Sequence, residues 1–169
     1  MIRHCRLDER AAILAAVNDG ATAYRGVIPA SCWHEPYMAS TELDRELAAG
    51  VAFSGYFDGD DLLGVMGLQR VLDVMLVRHA YTQTAHQGRG IGSALLAHVW
   101  GQTDRATLIG TWKAATWAVR FYEGRGFRLI DGPLKDELLQ RYWTVPASQM
   151  DASVVLADSR WAPPGRGGG

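Results

Sequence analysis

The segment Tyr81-Thr82-Gln83-Thr84-Ala85-His86-Gln87-Gly88-Arg89-Gly90-Ile91-Gly92-Ser93 constrains this chain more than any other. A β-like run ends in it, and an apolar helical run from Ile91 to about Gly101 begins in it. Glycines at 88, 90 and 92 let successive backbone N–H groups point inward with no Cβ in the way. The helix N-terminus that follows adds unpaired donors and a partial positive charge. The product is a cradle suited to a pyrophosphate. It is not a P-loop, because no Gly-Lys-Ser/Thr follows. A dinucleotide fingerprint fits poorly: Ser93 stands in place of the third glycine, and no acidic residue lies near position 112. Taken alone, the segment is equally compatible with a glycine-rich connection that binds nothing.

The flanking patterns predict the architecture. Ile2 to Arg6 reads as a strand, and Asp8 as the cap of a helix with Ile13, Leu14 and Val17 on one face. Trp33 to Met38 reads as helical. Thr41 with Asp44 opens a further helix that Gly50 ends. Val51–Phe57 and Leu62–Arg70 form a hairpin across Asp58-Gly59-Asp60-Asp61, and Leu72–Thr82 is a third long strand. Thr107–Thr111 is strand-like, Ala114–Glu123 helical, Phe127–Ile130 a strand, Lys135–Gln140 a helical turn and Ser153–Ala157 a last strand. Antiparallel strands followed by βαβ units give a mixed α/β sheet, mostly antiparallel, flanked by helices. One domain is expected over residues 1–158. The Pro/Gly-rich remainder, 159–169, is expected to be a flexible tail.

Composition excludes several classes of function. A net charge of −1 gives no nucleic-acid footprint. The apolar run Ala11–Val17 is too short for a signal peptide or a membrane span. Cys5 and Cys32 form no motif, and His4, His86 and His98 show no metal-ligand spacing. A cytoplasmic protein without a metal is the expectation, and a homodimer is allowed.

A second segment decides how the glycine turn is read. Gln87-x-x-Gly90-x-Gly92 is followed by Phe121-Tyr122-Glu123-x-x-Gly126-Phe127, with a strand between. This pair resembles the GNAT superfamily of acetyl-coenzyme A-dependent N-acetyltransferases, and the likeness runs from residue 1 to about 158. The resemblance implies a splayed parallel strand pair that admits the cofactor. It implies that Gln87, Gly88, Arg89, Gly90, Gly92 and Ser93 hold the coenzyme A pyrophosphate. The strand ending at Tyr81 and Thr82 would then pair with pantetheine. Tyr122 matches the family tyrosine that protonates the departing thiolate, the alternative being a core tyrosine. Ala115 stands where many members carry an asparagine that contacts pantetheine.

A protonated amine must lose a proton before it attacks a thioester. Asp73 and His79, six residues apart, share one face of a regular strand, and His79 has the better intrinsic pKa for a base near neutrality. Glu35, Glu42 and a water chain are the other candidates. Tyr24, Trp33, Glu35 and Tyr37, with Asp73, are the expected walls of the acceptor pocket, which takes a small-molecule or peptide amine. No activated-nucleophile motif is present, so direct attack in a ternary complex is expected. Two rivals are a non-catalytic acyl-coenzyme A-binding or regulatory module on the same fold and a nucleotide-binding protein.

Overall fold

The computed structural model describes residues 1–165. Seven strands form one sheet in the order β1-β2-β3-β4-β5-β7-β6. They are β1 (Ile2–His4), β2 (Ala52–Asp58), β3 (Asp61–Val71), β4 (Val74–Thr82), β5 (Thr107–Trp112), β6 (Arg128–Ile130) and β7 (Ser153–Ala157). Among the described residues only β4 and β5 pair in parallel; every other neighbouring pair is antiparallel. The helices are α1 (Arg10–Gly20), α2 (Ser40–Ala48), α3 (Ile91–Trp100), α4 (Thr116–Glu123), α5 (Gly132–Tyr142) and the short α6 (Ala147–Met150). No helix among the described residues is long and apolar enough to cross a membrane.

Strand alternation sorts the core onto two faces. Met66, Leu68, Val77, Ile109 and Leu156 pack beneath α3 and α4. On the opposite face, Phe53, Phe57, Leu62 and Val65 pack against α1 and α2. Leu76, Leu108 and Val155 pack on that face against α5. The packing runs past the boundary expected at residue 158. Trp161 is buried in the α5 cluster, and Asp158 accepts hydrogen bonds from Trp100 Nε1 (2.9 Å) and the Thr107 amide (3.1 Å). The last residues of the expected tail, 166–169, lie outside the described residues.

Several local expectations are corrected. Trp33–Met38 is not a helix: a single 3₁₀ turn, Ala30–Cys32, precedes bends. Pro36 has no N–H to donate and disfavours helical backbone in the residue before it. Asp8 does not cap α1; it lies in a 3₁₀ turn, Leu7–Glu9, and Glu9 takes the cap position. The expected turn over Lys135–Gln140 is the longer α5, whose start is fixed by Asp131 accepting from the Gly132 amide. Asp73 is not on a strand. It sits in the β3–β4 turn beside Leu72, accepts a 2.7 Å hydrogen bond from the Tyr142 hydroxyl, and faces Arg141.

Candidate active site

The parallel pairing of β4 and β5 covers only Met75–Thr107, Leu76–Leu108 and Val77–Ile109. Beyond Val77 both strands continue unpaired with each other, to Thr82 and Trp112. The sheet therefore opens into a splay at the C-terminal ends of these strands.

A cavity of about 500 Å³ lies on the α3–α4 side of the splay. Its floor includes Tyr81 and Thr82, its far wall α4 with Trp117 and Tyr122, and its mouth the glycine turn. Gly88 (φ +74°) and Gly90 (φ +80°) are in the left-handed region, which a side chain rarely tolerates. A Cβ at either would meet nothing within 4 Å, so the backbone of this turn faces open space. Gly90 is the residue from which α3 starts. The first residue of that helix, Ile91, is seated over Gly64 of β3, where an added Cβ would come within 2.9 Å of the Ile91 side chain. Close approach at Gly64 thus sets where the N-terminus of α3 points.

Gln87, Gly88, Gly90, Gly92 and Ser93, all predicted to bind cofactor, line this cavity. Arg89 is exposed and does not line it. The cation at the rim is instead Arg125, which the sequence reading did not single out. Arg125 lies over the Phe121 ring (3.8 Å), donates to the Phe121 carbonyl (2.8 Å), and bonds Ser93 Oγ at the start of α3. Its position inside the Phe-Tyr-Glu-x-x-Gly-Phe segment carries no signal by spacing; only the packing of α4 beside α3 brings it to the glycine turn.

A second cavity, about 190 Å³, lies where the strands diverge. It is lined by Tyr24, Tyr37, Tyr81, Trp112, Trp143 and His79, among others. Tyr24, Ala80, Tyr81 and Tyr122 line both cavities, so the two spaces meet at these residues. The aromatic rings form one cluster. Tyr24, Tyr37 and Tyr81 have centroids 5.9–6.1 Å apart, and Trp33 lies 5.6 Å from Tyr37. Trp112 Nε1 donates to the Tyr37 hydroxyl at 3.1 Å. Burial raises the Tyr24 pKa to about 12, with the Tyr37 phenol adding to the shift. Glu35 is half-exposed, paired with Arg25, and outside the lining of both cavities. Asp73 is outside them too: six residues of strand separate it from His79, about 20 Å.

Tyr122 is buried, its ring 5.1 Å from Phe121 and 6.1 Å from Phe127. Its hydroxyl has no protein hydrogen-bond partner among the described residues and is not enclosed. Burial, and secondarily the nearby Tyr24 phenol, pushes its pKa well above the ordinary tyrosine value. It therefore holds its proton at neutral pH.

His79 sits on a β-bulge. Val65 pairs with Tyr81 but Gly67 with Arg78, so His79 and Ala80 together oppose Met66, and His79 has φ +53°. The bulge undoes the alternation on which the shared face of Asp73 and His79 was based. Its ring stacks on Phe53 (5.9 Å, 27°) on the α1–α2 side, and Nε2 lies 3.0 Å from Glu46 Oε2.

These features match a known family. The family model described as an acetyltransferase (GNAT) domain matches residues 14–140. The chain belongs to the GNAT acetyltransferase family. Acetyl-coenzyme A is the cosubstrate of that family, and the open glycine turn at a helix N-terminus, with Arg125 at its rim, fits its pyrophosphate. Solved GNAT structures share the fold. The PaiA N-acetyltransferase of Thermoplasma acidophilum, in complex with coenzyme A, is 14% identical with a TM-score of 0.69, covering 94% of this chain and 97% of that one. A GNAT acetyltransferase from Staphylococcus aureus Mu50 is 16% identical with a TM-score of 0.70, over 95% and 99%. The Escherichia coli ribosomal-protein-S18-alanine N-acetyltransferase is 14% identical with a TM-score of 0.63, over 98% and 97%. No curated protein sequence matches this GNAT chain.

Proposed function

We propose that this GNAT protein transfers the acetyl group of acetyl-coenzyme A to a primary amine by direct attack in a ternary complex. The observation that carries this is the meeting of two cavities at Tyr122, Tyr81 and Tyr24. One cavity opens on an anion cradle; the other is small and walled by aromatic rings. Bound acetyl-coenzyme A supplies an activated acyl group as a thioester.

The residues divide the remaining work. The backbone of Gln87, Gly88, Gly90 and Gly92 and the Ser93 hydroxyl hold the pyrophosphate, with Arg125 supplying charge. Arg89, exposed beside them, closes on the same phosphates from solvent. Tyr81 and Thr82 offer the unpaired edge of β4 to pantetheine. Tyr24 and Tyr37 shape the acceptor space, with Trp33 packed on Tyr37 outside the lining of both cavities, and aromatic faces attract an ammonium group before it is deprotonated. His79 removes the amine proton, and Tyr122 gives its own proton to the leaving thiolate, recovering it from solvent. Neither Cys5 nor Cys32 lines either cavity, which favours direct attack over an acyl-enzyme route.

Release of free thiol from acetyl-coenzyme A, measured with and without a panel of amines, tests the reading. It predicts thiol release that depends on the amine, with intersecting initial-rate patterns for the two substrates. Tight coenzyme A binding with no amine-dependent release across the panel would favour the non-catalytic acyl-coenzyme A-binding reading.

A further inference from the structure

Consecutive strand residues ordinarily point to opposite faces of a sheet. Arg78 and His79 do not. Both reach one carboxylate in the last turn of α2: Arg78 Nη2 lies 3.2 Å from Glu46 Oε1, and His79 Nε2 lies 3.0 Å from Glu46 Oε2. The bulge at His79 produces this convergence. Arg78 is held from its other side by Gln69 Oε1 at 2.9 Å, and Gln69 in turn donates to the Ala49 carbonyl just after α2. The three side chains are largely shielded, with 15% of the His79, 17% of the Glu46 and 25% of the Arg78 side chain exposed.

We infer that Glu46 is a positioning residue for the base: it fixes His79 as the Nε2–H tautomer and leaves Nδ1 as the nitrogen that accepts the amine proton. This rests on the reading of His79 as the base. An ionised carboxylate only accepts hydrogen bonds, so the 3.0 Å contact requires the proton to be on Nε2. Nδ1 has no protein partner among the described residues and is not sealed from the cavity His79 lines. Phe53 fixes the plane of the ring. Glu46 stays ionised. Burial pushes its carboxyl up, but the hydrogen bond from His79 and the charges of His79, Arg78 and Arg45 outweigh burial and leave it below the ordinary value. The proton balance is simple. The ammonium N–H bond breaks and an Nδ1–H bond forms; the imidazolium faces the Glu46 anion, and the proton then leaves Nδ1 for water. The groups facing His79 are Glu46 from α2, Arg78 from β4 and the Phe53 ring from β2, with Arg45 behind Glu46.

Nitrogen-15 NMR of histidine-labelled protein reads the tautomer directly, with no acceptor needed. The neutral His79 ring should carry its proton on Nε2. A neutral wild-type ring protonated on Nδ1 overturns the inference. Turnover of 2-phenylethylamine with acetyl-coenzyme A separates this from the base assignment. Glu46→Gln should lose about 10–10³-fold in kcat with the KM for acetyl-coenzyme A unchanged. If His79→Gln is inactive and Glu46→Gln keeps full kcat, the base stands and the role of Glu46 falls. If His79→Gln keeps full kcat, the base assignment itself fails, while the tautomer measurement still decides the geometry.

Discussion

His79 Nε2 lies 3.0 Å from Glu46 Oε2, across the gap between a bulged strand and the last turn of the helix that covers it. Neither residue occupies this place in a regular sheet, because alternation would turn His79 to the face of Val77, beneath α3. If the base is His79, His79→Gln should reduce kcat by about 10²–10⁴-fold. Asp73→Asn serves as the comparison. Asp73 is in a surface turn bonded to Tyr142, so its removal should leave the rate unchanged. A full-rate His79→Gln would return the choice to a water chain.

Coenzyme A affinity should depend on the glycine turn. Gly90→Asp places a like charge beside the pyrophosphate at a position whose φ of +80° an aspartate tolerates better than most residues. Because nothing packs against a Cβ there, the core should be undisturbed. Calorimetry should show affinity reduced by an order of magnitude or more, on the scale of a lost charge-assisted contact, roughly 1.5–3 kcal/mol. Arg125→Met should weaken binding in the same direction, with a smaller dependence of affinity on salt. Unchanged affinity in both folded variants would remove the turn from the cofactor site.

If the smaller cavity takes the acceptor, it predicts a preference among amines. Its volume is about 190 Å³, six tyrosine and tryptophan side chains line it, and Arg78 is the one arginine, lysine, aspartate or glutamate among its lining residues. No carboxylate lines it to receive a second ammonium group. A monoamine with an aromatic or compact apolar body should therefore be turned over at a higher kcat/KM than a polyamine of similar length. Initial rates with 2-phenylethylamine and spermidine at equal concentration test this, and a clear preference for spermidine would contradict it.

Acid should weaken the anchoring of the first strand. Arg3 grips Glu9 with two hydrogen bonds (2.6 and 2.9 Å), and the Arg6 amide donates a third (2.7 Å). The Arg3 contact first, then the Arg6 amide, lowers the Glu9 pKa from the usual 4.5 to about 2. A depressed carboxylate pKa stabilises the fold above its unfolded value and loses that contribution as pH falls through the folded one. The Tm difference between the wild type and Glu9→Gln should thus be largest near neutrality and shrink as pH falls from about 4.5 towards 2. A difference that does not change with pH would show that Glu9 acts through packing alone.

The residues that announced the fold did so by local rules. Asp58-Gly59 closed a hairpin and Gly90 opened α3, through left-handed backbone at Gly59 and Gly90 that little else adopts; α4 ends at Gly124 in ordinary helical backbone, and the left-handed residue, Gly126, follows two positions on. The glycine turn before α3 was legible for the same reason. What was hidden depended on long-range packing. The bulge that redirects His79 leaves no mark in a run of alternating residues. Glu46 is one more acidic residue in a short helix, and nothing in the sequence sets it apart from its exposed neighbours, although it sits with Leu43 and Leu47 on the inward side. Arg125 gains meaning only because α4 lies beside the start of α3. Asp73 was misplaced because Leu72 and Val74 extend the apolar pattern through what is a tight turn.

Turnover and binding by Tyr122→Phe test most directly the claim that donor and acceptor meet at this residue. The variant keeps the ring that packs on Phe121 and Phe127 and removes only a hydroxyl that has no protein partner among the described residues. Its melting temperature and coenzyme A affinity should match the wild type, while kcat falls by about 10–10³-fold. A large loss of stability with normal turnover per folded molecule would contradict the account and make Tyr122 a core residue rather than the acid.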